Sequence, residues 1–506
     1  MFTKNGQGKE PEENNLYTNA GFDTYLLVIT SSTTADDVAT ILKRCQDIGM
    51  DVMIRLHTDL VKWNLTDTDT SDYSEFYNVF TDHQAFANFD FTQYSCLKGF
   101  FIVDEPSWSQ LEVIAAEYVP WFNNLVATTG REFEFFVNLF SGYSTNLGAL
   151  RDINGVKLPG NLYDGVNATL TAQQKADFVK AYHNFYLTEI LATVNSVNKI
   201  FSHDAYPFFD NQEGKINLVN SNATAEEKLS AQKIVENYLA IVDEDGNMTM
   251  GFTENDFLTE IPDGYEYSVK DEWLSRSLNI AIQARDNGYG YGAHIQVFDE
   301  GGANRPKATW RLPTTLAEVR WQVYMNLAMG AKRIDYFGFG QSKSGSYMTL
   351  GTAALPIYSF VQQTNAELKS VDHVFASFET WVGIKTFTPA GAQMSAGFQM
   401  VAEKGQNLES LTNVLSVTTS RELVIGEMVD GNGNHGYMLV GYEDPLNGNS
   451  TSVEMTFDGA EGFIVYRGGE RTLVEAIDGV FSVTLEAGDG VFVIPVYAEY
   501  SEYFEL

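Results

Sequence analysis

The stretch LKGFFIVDEPSWSQ, residues 97–110, decides the fold. Its apolar residues run to Val103 almost unbroken, as in a strand of a parallel sheet buried on both faces. Asp104 and Glu105 close the strand, and Pro106 opens a helical pattern over 107–130. A buried strand that ends in two carboxylates and turns into a helix is one unit of an α/β fold, with its polar chemistry at the strand's C-terminal end.

The same unit recurs on either side. Strand candidates are FDTYLLVIT (22–30), DVMIRLH (51–57), FEFFVNLF (133–140), KIFSHDAYPF (199–208), GAHIQVF (292–298) and RIDYFGFG (333–340). Helical patterns lie between them, at 35–49, 172–197 and 316–332, with apolar residues spaced i, i+3, i+4, i+7. Alternation of this kind implies parallel strands joined by helical crossovers. With LKGFFIVDE the count is seven, one short of a closed (β/α)8 barrel. Residues 10–20 read as a helix stopped by Gly21, so the chain enters at the first helix. The first strand is then reduced to residues around Phe2 or lies outside this sequence. LKGFFIVDE becomes the fourth strand, GAHIQVF the seventh and RIDYFGFG the eighth. Two long connections rich in Asn, Gly and Asp, 141–170 and 209–268, fall on the face where barrel active sites are built.

Near residue 375 the period changes. RELVIGEMV, YMLVGYED, TSVEMTFDG, GFIVYRGG, FSVTLEAGDG and VFVIPVY recur with turn residues between them and no long helical pattern. The expectation is a (β/α)8 barrel over 1–375 followed by an antiparallel β-sandwich over 376–506. DGNGNHG (430–436) lacks the spacing and final Glu of a calcium loop and reads as a hairpin turn.

Bulk properties narrow the function. The 506 residues exceed one core, and 44% apolar with 13% aromatic content suits a packed chain. No apolar run approaches the ~20 residues of a membrane span. The net charge of −35 repels nucleic acid and anionic membrane but leaves neutral sugars unaffected. Cys45 and Cys96 form no framework and read as small buried hydrophobes; seven histidines show no HExxH or i, i+4 pairing, so neither metal nor cofactor is expected. A homo-oligomer is compatible with all of this. Localisation stays open between an exported chain whose signal has been removed and a cytoplasmic one.

Alternation along the central strand places Gly99, Phe101, Val103 and Glu105 on one face and Asp104 on the other. If that face lines the barrel, Glu105 enters the mouth as an acid/base. The competing reading makes Asp-Glu-Pro a helix cap, for which Asp104 alone suffices.

Taken together, AGFDTYLL, GFFIVDEPS, SHDAYPFF, GAHIQVF, LPTTLAEVRWQVYMNLAMGAKRIDYFGFG and the tail module resemble clan-A-type glycoside hydrolases, nearest the family 42 β-galactosidase-like and family 158 β-glucanase-like proteins. The resemblance implies a retaining hydrolase of a neutral β-linked glycoside. Its acid/base glutamate ends strand four, which carries onto Glu105, with Asp104 where the family has Asn. Its nucleophile ends strand seven; here the candidates are Glu300, if that strand runs on, and Asp204 at the end of strand six. A carboxyl gap of ~5–5.5 Å implies retention and ~6.5–9.5 Å inversion. Sugar-binding candidates at strand ends are Asp104, His57, Asn138, Tyr206, His294, Gln296 and Tyr336, with Arg305 and Trp310 in the following loop. The rival readings are a non-catalytic carbohydrate-binding barrel, another barrel chemistry such as an aldolase or metal-dependent hydrolase, and a scaffold. An aldolase needs a strand-end lysine and a metallohydrolase a His/Asp cluster, and the strands supply neither.

Overall fold

The computed structural model describes residues 16–56, 79–86, 88–106, 108–139, 172–211, 266–269, 271–300, 308–310, 312–338, 345–346, 348–350 and 353–500. Seven parallel strands form one sheet in chain order: β1 (Thr24–Ile29), β2 (Asp51–Leu56), β3 (Leu97–Asp104), β4 (Glu134–Leu139), β5 (Ile200–His203), β6 (Gly290–Gln296) and β7 (Ala331–Phe337). They are the seven strands read from the sequence, and helices link them. The helix Ala35–Asp47 starts on a capping box in which Thr34 and Asp37 satisfy each other's backbone, and Leu316–Ala328 starts on the same device from Thr315 and Glu318.

The sheet is curled rather than flat. Arg333 on β7 reaches across to Met53 on β2, and it touches Glu134 and lies over Phe136 on β4. On a flat sheet those strands would stand several 4.8 Å spacings apart. Between β1 and β7 no backbone ladder is described. A cavity of about 500 Å³ opens at that seam, lined by Phe22, Thr24, Arg333, Asp335, Tyr336 and Asn365 among others. The expected strand around Phe2 lies outside the described residues, as does most of both long connections.

After the helix Pro356–Ser377 the chain becomes an antiparallel sandwich. The strands are β8 (Thr380–Phe387), β9 (Val414–Thr419), β10 (Leu423–Val429), β11 (His435–Gly441), β12 (Thr451–Phe457), β13 (Ala460–Arg467), β14 (Glu470–Glu475), β15 (Val480–Leu485) and β16 (Gly490–Tyr497). One sheet runs β8-β10-β11-β16-β13-β14 and the other β9-β12-β15. Tyr437 and Leu439 face the second sheet, while Met438 and Val440 join the core shared with the barrel. Both faces of β11 are therefore buried, which is why YMLV shows no polar alternation. Gly426 lets β10 lie against the helix Leu316–Ala328, since a Cβ there would stand 2.0 Å from the Ala328 carbonyl oxygen. DGNGNHG is the hairpin between β10 and β11, with Asp430 Oδ1 accepting from the Asn432 and Asn434 amides. One short helix, Ala396–Glu403, lies between β8 and β9. No described helix is long and apolar enough to cross a membrane.

Candidate active site

The candidate side chains meet at the C-terminal end of the parallel sheet. Their placement depends on a break in β3. Phe101 pairs with Phe136, but the register then slips, so that Val103 pairs with Val137 and Asp104 with Asn138. An extra residue in one strand reverses the facing of everything after it. Phe101 contacts Phe136 inside the sheet's curl, and Asp104 faces the same interior. The expected parity, with Asp104 opposite to Phe101, is thus corrected by the bulge. Glu105 follows with φ 50°, the left-handed region that non-glycine residues avoid. Its amide still donates to the Asn138 carbonyl at 2.8 Å, which ties that conformation to the sheet. The carboxylate end of Glu105 belongs to a part-exposed residue at the mouth.

Asn138 organises the rest. Its Nδ2 donates to Asp104 Oδ1 at 3.0 Å and to Asp204 Oδ1 at 2.6 Å, and its Oδ1 accepts from Ser202 Oγ at 3.1 Å. Two carboxyls, from the ends of β3 and β5, therefore share one amide nitrogen. Arg55 on β2 donates from Nη2 to Asp104 Oδ2 at 3.1 Å while its guanidinium lies over the Phe101 ring. His294 on β6 brings Nδ1 to 3.4 Å from Asp204 and 3.3 Å from Ser202 Oγ. Tyr206 lies close enough to Asp204 to influence its carboxyl, and its ring packs edge-on against Phe298. Burial pushes the Asp204 carboxyl above its ordinary range and the Asp104 charge adds to this; His294, Asn138 and Tyr206 pull the other way.

Of the expected residues, Asp104, Asn138, Asp204, Tyr206 and His294 form one network, with Glu105 next to it in the chain. Gln296 is fully buried, and its amide pairs with both backbone groups of Phe208, at 2.9 and 2.6 Å, so its hydrogen bonds are used in holding the loop after β5. Tyr336 is turned away from the interior: its hydroxyl donates to Asn365 on the helix Pro356–Ser377, and its ring packs on Phe22. The barrel strand β6 ends at Gln296, and Asp299–Glu300 pair antiparallel with Gly345–Ser346 instead of prolonging it. Trp310 pairs opposite Phe209 in a small three-stranded sheet made from the loops after β5 and β6. His57 and Arg305 lie outside the described residues.

Arg55 and Ser202 were absent from the expectations. A charge inside the apolar run DVMIRLH is itself the missing signal, because arginine is almost never buried unpaired. Ser202, His294 and Asp204 suggest a Ser-His-Asp nucleophile at first sight, but serine and aspartate both meet Nδ1, whereas a triad needs them on opposite ring nitrogens. Among the described residues no three His, Cys, Asp or Glu side chains are grouped to hold a metal. Cys45 and Cys96 are both buried and unbridged.

No family model matches the chain, and no curated protein matches it. Solved structures that align with it include a Paenibacillus polymyxa xyloglucanase of glycoside hydrolase family 44, at 10% identity over 95% of this chain and 87% of that one, TM-score 0.37. A family 30 endoxylanase from Clostridium papyrosolvens aligns at 9% identity over 95% and 91%, TM-score 0.32. An Anoxybacillus α-amylase aligns at 8% identity over 95% and 88%, TM-score 0.39. Likeness at that level carries no functional argument, so function is argued from the side chains at the mouth.

Proposed function

We propose that this chain is a glycoside hydrolase acting on a neutral, β-linked glycoside with retention, with Glu105 as acid/base and Asp204 as the attacking carboxylate. The observation that carries the reading is the end of β3, where a bulge and a left-handed residue present Glu105 beside Asp104, which shares the Asn138 amide with Asp204. Strained backbone of this kind costs on the order of 1–3 kcal/mol and persists where the site needs it. The resemblance of GFFIVDEPS to glycoside hydrolases points the same way.

The chemistry divides among the residues as follows. Glu105 gives its proton to the glycosidic oxygen as the bond to the anomeric carbon breaks. Asp204 attacks that carbon from the opposite side, and the sugar becomes an ester of its carboxyl. Glu105, now ionised, takes a proton from water, whose oxygen displaces Asp204 and restores both groups. Arg55 and Asn138 hold the Asp104 carboxyl in place, so it anchors the floor rather than reacting. The carboxyl of Asp204 must be ionised to attack, which its burial opposes and its neighbours His294, Asn138 and Tyr206 favour.

The test is hydrolysis of aryl β-glycosides and neutral β-glucans, with the first-formed anomer read by proton NMR and Asp204→Asn run beside the wild type. Turnover with retention, lost in Asp204→Asn, is expected. Absence of turnover across the panel refutes the reading, and an inverted product removes Asp204 as nucleophile.

A further inference from the structure

Below the mouth, the interior of the curled sheet holds a second polar group that the proposed reaction does not use. Arg333 on β7 pairs with Asp335 at 2.6 Å and with Glu134 on β4, and its ring partner is Phe136 at 4.1 Å. Arg333 offsets burial and holds the Asp335 carboxyl down, at about 2, with His294 adding to the effect. Asp335 is the cross-strand neighbour of His294. Between the two groups lies a cavity of about 30 Å³, walled by Thr24, Leu26, Met53, Phe101, Phe136 and by His294, Arg333 and Asp335.

His294 is 3% exposed. Its Nδ1 edge is used by Asp204 and Ser202 on the mouth side. The opposite edge carries Nε2, which is buried and meets no protein partner. A buried imidazole nitrogen left unsatisfied is destabilising, and a cavity needs only ~10–15 Å³ of this kind of volume for one water if two or more polar groups face it.

We propose that this cavity binds a single water that links His294 Nε2 to Asp335 and Arg333, making His294 a positioning residue that braces the Asp204 carboxyl from behind. The groups facing His294 are Asp204 and Ser202 from β5 and its end, and Asp335 and Arg333 from β7, with Glu134 reached through Arg333; His203 stands on the other face of β5. Held by that water with Nδ1 toward Asp204, His294 favours the ionised form of Asp204, the form that attacks. The water site and the coupling stand on this geometry; only their consequence for rate rests on the glycosidase reading.

The test has two parts, neither of which needs a substrate. A high-resolution crystal structure of the whole chain should show one ordered water within hydrogen-bond distance of His294 Nε2 and of Asp335 or Arg333; an empty cavity overturns the proposal. Carboxyl ¹³C NMR titrations of Asp204 should shift to higher pH in His294→Gln, and in the same direction but less in Asp335→Asn. A titration unmoved in Asp335→Asn leaves the two groups uncoupled and also overturns it. If Asp335→Asn does not fold, Thr24→Val, which strips a hydroxyl from the cavity wall, takes its place. In an active enzyme the acid limb of kcat/KM should move upward with Asp204, whereas a merely structural role lowers kcat at every pH alike. Absence of turnover with both physical results intact would sink the hydrolase reading and leave the water site standing.

Discussion

Asn138→Leu removes the amide on which the candidate site is built while keeping the side chain's volume. Three hydrogen bonds disappear: Nδ2 to Asp104, Nδ2 to Asp204, and Ser202 to Oδ1. Bonds to charged acceptors contribute about 1.5–3 kcal/mol each and a neutral one about 1. Part of that is recovered, because Asp104 keeps Arg55 and Asp204 keeps His294 and Tyr206. With these partners left, a net destabilisation of about 3–5 kcal/mol is expected, the range for breaking a buried charged network. The assay is urea unfolding followed by tryptophan fluorescence at pH 7, with Asp204→Asn and the double variant completing a cycle. Coupling of more than about 1 kcal/mol between the two positions is expected, since they share a bond. A loss below about 1 kcal/mol with additive single effects would refute the view that one amide joins the two carboxyls.

Glu105→Gly should raise stability by about 1 kcal/mol, because glycine adopts φ 50° freely, and should abolish turnover; a destabilised variant would mean that the Glu105 side chain contributes more to packing than its backbone costs. His203 is buried with neither ring nitrogen bonded to protein, and burial, with the nearby His183, His294 and Arg276, holds its pKa well below the usual value. The unfolded chain therefore takes up a proton near pH ~6.5 that the folded chain refuses, and stability should fall by about 1.4 kcal/mol per pH unit as pH drops below that point. His203→Gln should flatten the decline in urea midpoint between pH 7 and 5.5; an unchanged slope would place the titrating group elsewhere.

The sequence makes most of the seven parallel strands legible because they are buried on both faces and stand out as apolar runs between helical periods. That same property hides which residues face the interior. Tyr336 and Asp335 differ by one position on β7, and nothing in RIDYFGFG says that the aspartate points in and the tyrosine out. The bulge after Phe101 is invisible for a related reason: parity assumes an unbroken strand, and one extra residue turns Asp104 inward. The strands β8, β9 and β14 escaped notice, the first because it follows a helix without a turn signal, the second because no residue of it is fully buried. In β14 all six residues are exposed, so its pattern carries no burial period. Gln296 shows how a sound premise leads to the wrong partner. A buried amide does need hydrogen bonds, but here the Phe208 backbone supplies them.

On the proposed mechanism Glu105 delivers and removes the proton at the reacting glycosidic bond. Its most direct test is Glu105→Ala on an activated aryl β-glycoside, with and without sodium azide. Turnover should be depressed by ~10²–10⁴. Azide should then restore it, with a β-glycosyl azide as product, because the anion reaches the face the carboxylate has vacated. A folded variant that hydrolyses the substrate as fast as the wild type, or that azide rescues with inverted configuration, would contradict it.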